Sequence, residues 1–494
     1  MVHTIIDAYS DEASGLGVPP YLGTHVRYAA GVLNNPYYLT IDDLRKLHTK
    51  ENKRAMITNK KIKNTTRSSE EIRKILSKTK VLVVVGGVHV PGKYLSAEPA
   101  TVRELLQLIK PYNCLKILFG PAAYGSEAHG GRRTPKQYRD YLKNHFHEIL
   151  TAGQLLKLDA VVNNKDYTLK RETFTDIEPF IQKGVEIVKQ HPDYPNFIML
   201  ELETGRGCGH GACSFCTEGI KHAVEFRSVK NILSEMRLLS KLGVKHFRFG
   251  KQSCFYSYRN GDVTKIEKLL KGAHALKPKV LHIDNVDPVH VDVARTKLVV
   301  KYCTPGNIAA FGVETFDKEV MKQNNLNVHD PKTVINAVKI INKYGLKRGS
   351  NGMPTFLPGI NIILGLAGET KQTLELNKEY LKYMLDNDLF IRRINIRQVG
   401  IYLGTQMEKT GLKYLRKNKR HYYRFRHDVR EQIDHPMLQK LFPQGTILKS
   451  LRTEVHKGNT TFCRHIGTYP LIIGIKERIP LNQWVNIKIK KWML

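Results

Sequence analysis

The sequence predicts an α/β protein in three parts: an N-terminal α/β domain (1–195), a central partial barrel of about six β/α units (196–406), and a basic helical linker with a small β domain (407–494). Three observations carry this reading. Strand-like runs alternate with helix-length amphipathic segments as far as residue 406, the pattern of parallel βαβ units. Beyond it comes a basic, aromatic-rich stretch and then short alternating runs suited to a small sheet. A length of 494 residues leaves room for two or three domains, at roughly one per 100–200 residues.

In chain order, "KVLVVVGGVHVPG" (80–92) is a continuous β-branched run ending in Gly-Gly, suited to a strand buried on both faces. "TVRELLQLIK" follows with Val102, Leu105, Leu106 and Ile109 on one helical face, and Thr101 and Glu104 spaced as a capping box. "LKILFGPAAYG" (115–125) is the next strand, which completes a βαβ unit. No GxGxxG is present, so a dinucleotide site is not supported. Residues 46–71 are polar and basic without periodicity and are expected to form a mobile insertion. In the second part "NFIMLELETGRG" is a strand feeding a glycine-rich loop, and Val229, Ile232, Leu233, Met236 and Leu239 line the helix after it. "VKHFRFG", "VLHIDNV", "NIAAFGVE", "GINIILGL" and "RINIRQVGIY" are the later strands. Six strands fall short of the eight that close a full barrel. In the third part "TILKSLRTEV", "PLIIGI" and "WVNIKIKKW" read as β.

Lys and Arg number 79 against 45 Asp and Glu, a formal charge of +34. Such a field attracts polyanions; a surface decorated with lysine throughout gives the same total. No apolar run reaches the roughly 18–20 residues of a membrane span. "MVHTIIDAYSDEASG" lacks the features of a signal peptide, and a cytoplasmic protein without membrane attachment is expected. Seven cysteines, three of them crowded together, do not form the even framework of a secreted disulfide protein.

Those three, Cys208, Cys213 and Cys216, lie in "ETGRGCGHGACSFCTEG" (203–219). A structural zinc ion takes four ligands, and the nearest fourth candidate, His210, is only two residues from Cys208. Buried, unrelated cysteines are a second reading, against which glycines at 205, 207, 209 and 211 offer little apolar cover. The third is an iron–sulfur cluster with one iron left open for another molecule. Cys254, Cys303 and Cys463 are distant in sequence and could complete a site only through folding.

The loop resembles that of the radical S-adenosylmethionine (radical SAM) superfamily, in which three cysteines hold a [4Fe–4S] cluster and SAM chelates the open iron. The resemblance implies reductive cleavage of SAM to a 5′-deoxyadenosyl radical, with an external electron donor of flavodoxin or ferredoxin type. The family's common spacing is C-x3-C-x2-C, and here it is C-x4-C-x2-C, the extra residue falling in "GHGA". Phe215 matches the aromatic that packs near adenine in the family. By the same resemblance Gly250 and Gln252 of "FRFGKQ" meet the SAM amino group, although Lys251-Gln252 replaces the usual acidic residue. Asn285 ends the third strand, Glu314 of "FGVET" contacts ribose or methionine, and Ile363 with Gly365 and Glu369 of "GINIILGLAGET" shapes the adenine turn. From about residue 5 to 490 the chain is similar to an uncharacterised archaeal-type radical SAM group with "VPGKYL", "YCTPGN", "RQVGIYLGT" and "GTYPLIIGI"-like stretches. Its members often continue into a helix-hairpin-helix module, which this sequence lacks.

The resemblance extends to the flanks. The front domain resembles the Rossmann-like, cobalamin-binding domain that precedes many radical SAM cores, here around a TIM-like (β/α)6 partial barrel. The cobalt-ligating Asp-x-His-x-x-Gly is not found, although His89 follows a strand, so the fold is expected without cobalamin. The tail is loosely similar to the TRAM-like barrel of tRNA methylthiotransferases. In "LRKNKRHYYRFRHDVR", Arg416, Lys417, Lys419, Arg420, Arg424 and Arg426 would neutralise phosphates, and Tyr422, Tyr423 and Phe425 would stack on bases of an RNA substrate. A solvated helix with inward aromatics is the plain alternative. Those enzymes carry a second three-cysteine domain, whereas Cys114 is the one cysteine of the front part here, which disfavours sulfur insertion. The expected function is therefore a radical SAM enzyme acting on RNA, with a protein or small metabolite as alternative substrate and a zinc-stabilised nucleic-acid-binding protein as the alternative of another class.

Overall fold

The computed structural model describes residues 1–9, 22–51, 62–87, 98–126 and 131–492, without the side chains of 49–51. Two compact units result: Met1–His129 with Thr134–Leu202 and Lys230–His246, and Gly130–Arg133 with Glu203–Val229 and Phe247–Leu494.

The first unit is built on a five-stranded parallel sheet of β1 (Val2–Asp7), β2 (Tyr37–Thr40), β3 (Thr79–Val85), β4 (Leu115–Phe119) and β5 (Glu148–Leu150), in the order β2-β1-β3-β4-β5. Val81 to Val85 of β3 are buried, as a central parallel strand covered on both faces requires. β1 and β2 were not anticipated, because polar residues interrupt their apolar runs. Those residues are buried but partnered: Thr4 Oγ1 meets Thr79 Oγ1 at 2.8 Å, and the Tyr38 hydroxyl donates to Asp7 at 2.9 Å. Thr101 caps the helix Val102–Ile109 by accepting from the Glu104 N–H. The expected capping box is not what occupies the Glu104 carboxylate, which takes the fork of buried Arg45 at 2.7 and 3.1 Å. A charge-assisted bidentate pair outweighs a single backbone bond.

The expected mobile insertion needs correction at both ends. Residues 46–51 continue the helix Ile41–Glu51. Beyond the gap, Lys63 and Asn64 N–H groups donate to Asp42, Thr66 donates to Asp43, and a Ser68–Glu71 capping box opens the helix Ser69–Lys78. Residues 52–61 lie outside the described residues, as do His89 and "VPGKYL".

The barrel strands are β6 (Leu200–Glu203), β9 (His246–Gly250), β10 (Val280–Ile283), β11 (Asn307–Glu314), β12 (Phe356–Leu364) and β13 (Arg393–Gln398). They form two ribbons, β10-β9-β6 and β11-β12-β13, joined where Asn285 bridges Ala310. The spatial order therefore follows the sequence, β6-β9-β10-β11-β12-β13, and no described strand closes the circle. Between β6 and β9 a two-residue antiparallel ribbon, β7 (Gly205–Arg206) with β8 (Glu225–Phe226), pinches the base of the cysteine loop. An antiparallel sheet of β14 (Ile447–Lys457), β15 (Thr460–His465), β16 (Ile472–Ile475) and β17 (Trp484–Lys488) completes the second unit, in the order β16-β15-β14-β17. β15, "TTFCRH", escaped the sequence reading because its arginine looks exposed. Arg464 is instead buried, 2.7 Å from Glu454.

Candidate functional site

The cysteine loop leaves the C-terminal end of β6, where barrels place their chemistry. Gly207, at φ 77°, is needed there, since a Cβ would lie 2.7 Å from the Ala223 backbone. Its N–H donates to Glu218 at 3.1 Å and its carbonyl accepts from Ser253 at 3.2 Å. Ser214 anchors the middle of the loop through its hydroxyl to Asn324 Oδ1 (2.7 Å) and its N–H to the Asn324 carbonyl (2.9 Å). His210 Nε2 lies 2.6 Å from the Asn325 carbonyl. It therefore donates there and braces the longer "GHGA" turn. The segment Asn324–Asn327 was not anticipated; its contacts to the loop span 110 residues or more of sequence and use amide and carbonyl groups without a pattern of their own.

The three thiols are half-buried and share one field. Burial pushes Cys213 up to about 12, with Cys216, Glu314 and Cys208 adding to the rise and the Asn327 N–H opposing it. Cys216 is likewise raised by burial, against a 3.5 Å bond from the Glu218 N–H. N–H groups aimed at sulfur favour thiolates. Among the described residues no three His, Cys, Asp or Glu side chains converge on a single metal ion. Cys254, Cys303 and Cys463 are buried thiols elsewhere, Cys254 accepting from the Asp287 N–H at 3.2 Å.

The structure brings several of the other expected residues to the same place. Phe215 from the loop and Ile363 from β12 pack on one apolar cluster of Val320, Leu366, Val399, Ile401 and Met407. Glu314 ends β11 at φ 65° after a register shift, and burial pushes its carboxyl up to about 8 against the pull of Arg397. A left-handed non-glycine residue costs about 1–3 kcal/mol and marks a site where position matters. Gly365, at φ 91°, donates its N–H to Glu369 at 3.0 Å. Gly250 ends β9 and accepts from the Thr204 N–H at 3.2 Å. Gln252 is buried and accepts from the Thr204 hydroxyl. Asn285 is half-buried, its carbonyl accepting from Phe255 at 2.8 Å.

The basic stretch forms the helix Lys413–Val429. Leu415, Asn418, Tyr422, Phe425 and Val429 face inward at helical spacing. Tyr422 and Phe425 are therefore not placed to stack on bases: Tyr422 is 2% exposed and donates to Glu369. Arg416, Lys417, Lys419, Arg420, Arg424 and Arg426 are exposed, with Tyr423 at 72%.

Residues 202–376 match the Radical SAM superfamily. An uncharacterized protein of Methanocaldococcus jannaschii is 39% identical over 521 residues, covering 98% of this chain and 90% of that protein. Another from Archaeoglobus fulgidus is 36% identical, over 99% and 88%. In fold, the chain is similar to the radical SAM methyltransferase TsrM from Kitasatospora setae. The TM-score is 0.52 at 12% identity, over 82% of this chain and 74% of that one, for the form with tryptophan and a SAM analog. It is 0.51 for the form with cobalamin and [4Fe–4S] bound. The Rossmann-like front, the partial barrel and the antiparallel tail are thus as the sequence implied. This chain belongs to the radical SAM superfamily and is an enzyme of that class.

Proposed function

We propose that Cys208, Cys213 and Cys216 hold the family's [4Fe–4S] cluster, with SAM bound beside it at the C-terminal end of the barrel. One observation carries this reading: loop and strand ends converge, Phe215 with Ile363 on one apolar cluster and Cys213 in the field of Glu314. When bound, the cluster supplies the electron for reductive cleavage of SAM. The chain's own residues bind and orient. Phe215 and Ile363 offer apolar surface to adenine, Glu314 a ribose or methionine contact, Asn285 a polar contact, and Gly250 with Gln252 the amino-group end. Gly365 sets the turn around adenine, held by Glu369. Three parts share the work, 1–195 as the Rossmann-like front, 196–406 as the catalytic core and 407–494 as linker and small β domain. The electron comes from a flavodoxin- or ferredoxin-type carrier in the cytoplasm.

For the substrate, RNA is supported by the exposed basic face of the helix Lys413–Val429. A small metabolite is the second reading, supported by Arg393 over the Tyr469 ring at 4.5 Å and by Arg397 in the field of Glu314. Cobalamin stays outside the proposal because Asp-x-His-x-x-Gly is missing; retention of cobalamin by protein purified from cobalamin-supplemented cells would overturn that part.

The test is anaerobic purification, reconstitution with iron and sulfide, and assay of 5′-deoxyadenosine from SAM under dithionite. Brown protein that releases deoxyadenosine is expected; colourless protein with one zinc per chain would refute the proposal. Mass spectrometry of nucleosides from cells with and without the gene decides the RNA reading, which falls if no nucleoside changes.

A further inference from the structure

Two exposed aliphatic side chains stand on segments bonded directly to the cysteine loop. Ile220, 56% exposed, belongs to the short helix Glu218–Lys221 that follows Cys216. The Glu218 N–H at its start points at the Cys216 sulfur from 3.5 Å, and two residues of helix add a rise of only about 3 Å. Gly219 lies against the loop itself, where a Cβ would come within 2.5 Å of the Gly211 carbonyl oxygen. Leu403, 38% exposed, lies in "RQVGIYLGT", just after β13. Its turn is tied to the loop between Cys213 and Cys216, since the Met407 N–H donates to the Ser214 carbonyl at 2.9 Å. A second tie runs from Gln406 through Asn325 to His210. The two segments touch: a Cβ on Gly404 would lie 3.8 Å from Ile220 Cδ1.

The loop therefore has two unlike faces. Phe215 packs on the apolar cluster of Val320, Leu366 and Met407, whereas Ile220 and Leu403 meet water. Around these two, Arg132, Arg133, Lys221, Lys322, Lys409 and Lys413 set six cations against two acids, Glu218 and Glu408. The sign comes from that count and from a chain of formal charge +34, not from any one unpaired cation. A second copy of so basic a chain is repelled by its own field. Single-stranded nucleic acid would call for aromatic side chains on which bases stack, and the exposed side chains here are aliphatic. Aliphatic contacts inside a charged rim are the make-up of a protein interface, and the rim asks for an acidic partner.

We propose that this face docks a small acidic electron-carrier protein, which delivers its electron to the cluster across Ile220 and the Glu218–Cys216 contact. The inference rests on the reading of Cys208, Cys213 and Cys216 as cluster ligands. The carrier is oxidised by one electron, which the cluster accepts, and no bond or proton changes hands at the interface. Electron-transfer encounters bury less than about 1,200 Å2 and are steered by charge, so a few aliphatic side chains within a basic rim suffice.

The test compares deoxyadenosine release by the reconstituted full chain under two kinds of reductant. One is dithionite; the other is an acidic ferredoxin or, separately, a flavodoxin, each reduced beforehand and freed of dithionite. Saturable dependence on at least one carrier is expected, weakening as salt rises. Ile220→Glu and Leu403→Glu put negative charge on the face and should each raise the carrier's KM at least tenfold, while Ile220→Leu keeps it near the wild-type value. Lys409→Glu should raise it several-fold. Lys271→Glu, near the C-terminal end of the helix Val263–His274 that leads to the start of β10, should leave it unchanged. Under dithionite every variant should match the wild type, with iron and sulfide content read for each. Turnover with neither carrier, or a carrier KM that Ile220→Glu and Leu403→Glu both leave unmoved, overturns the proposal while dithionite turnover stands. Absence of turnover under dithionite as well refutes the cluster reading on which it rests. A wild-type dimer that Leu403→Glu dissociates with the carrier's KM unmoved gives the face to a second copy. Stimulation by tRNA under dithionite that Leu403→Glu abolishes gives it to RNA. Either result also overturns the proposal.

Discussion

Tyr422→Phe removes the hydroxyl that donates to Glu369, a carboxylate 1% exposed that also accepts from the Gly365 N–H and from Asn418 Nδ2 at 3.3 Å. Burial pushes Glu369 up to about 7 despite these donors. Its unfolded value is about 4.3, so the native state binds the extra proton between these limits, and stability falls as pH rises through 7. At about 1.4 kcal/mol per unit, the whole loss is of order 4 kcal/mol. A hydrogen bond to the neutral acid is worth about 1 kcal/mol, and one to the carboxylate about 1.5–3 kcal/mol. Tyr422→Phe should therefore cost about 1 kcal/mol at pH 5.5 and about 2–3 kcal/mol at pH 8, read by urea unfolding under anaerobic conditions. Glu369→Gln should flatten the pH dependence in both backgrounds. An equal loss at both pH values would refute the reasoning, since the bond would then not report the charge of Glu369.

Other perturbations reach other parts of the fold. Arg27 and Glu235, both fully buried and 3.0 Å apart, should lose about 3–5 kcal/mol in Glu235→Ala, which strands the guanidinium, and regain most of it in Arg27→Met/Glu235→Leu, by thermal unfolding. His282 and His465 are held neutral by burial, down to about 3 and about 4. The stability this provides is complete above about pH 6.5 and is lost as pH falls; replacing both with glutamine should reduce acid destabilisation between pH 6.5 and 4, by circular dichroism. Asn324→Ala removes the acceptor of Ser214 and two amide bonds to Val320 and Ala367, and should lower iron bound after reconstitution several-fold, by iron and sulfide assay.

Much of the barrel was legible because buried parallel strands read as plain apolar runs. "NIAAFGVE" coincides with β11, and "GINIILGL" falls within or just past β12. β1 was not legible, because Thr4 and Asp7 look like surface residues until Thr79 and Tyr38 are folded against them. On the basic helix the sequence left base stacking and inward aromatics both open, and the inward spacing of Leu415, Asn418, Tyr422, Phe425 and Val429 decides for the second at Tyr422 and Phe425. At the site, the crowded cysteines announced themselves, whereas Asn324 and Asn325 carry no motif and meet the loop only in three dimensions.

If Cys208, Cys213 and Cys216 hold the cluster that serves SAM, the three thiols and the cluster signal stand or fall together. The most direct measurement is the electron paramagnetic resonance spectrum of the dithionite-reduced, reconstituted chain, with and without SAM, beside that of the triple Cys→Ala variant. A reduced-cluster signal that SAM perturbs is expected in the wild type, and no signal in the variant. A SAM-responsive cluster signal that survives in the variant would contradict it.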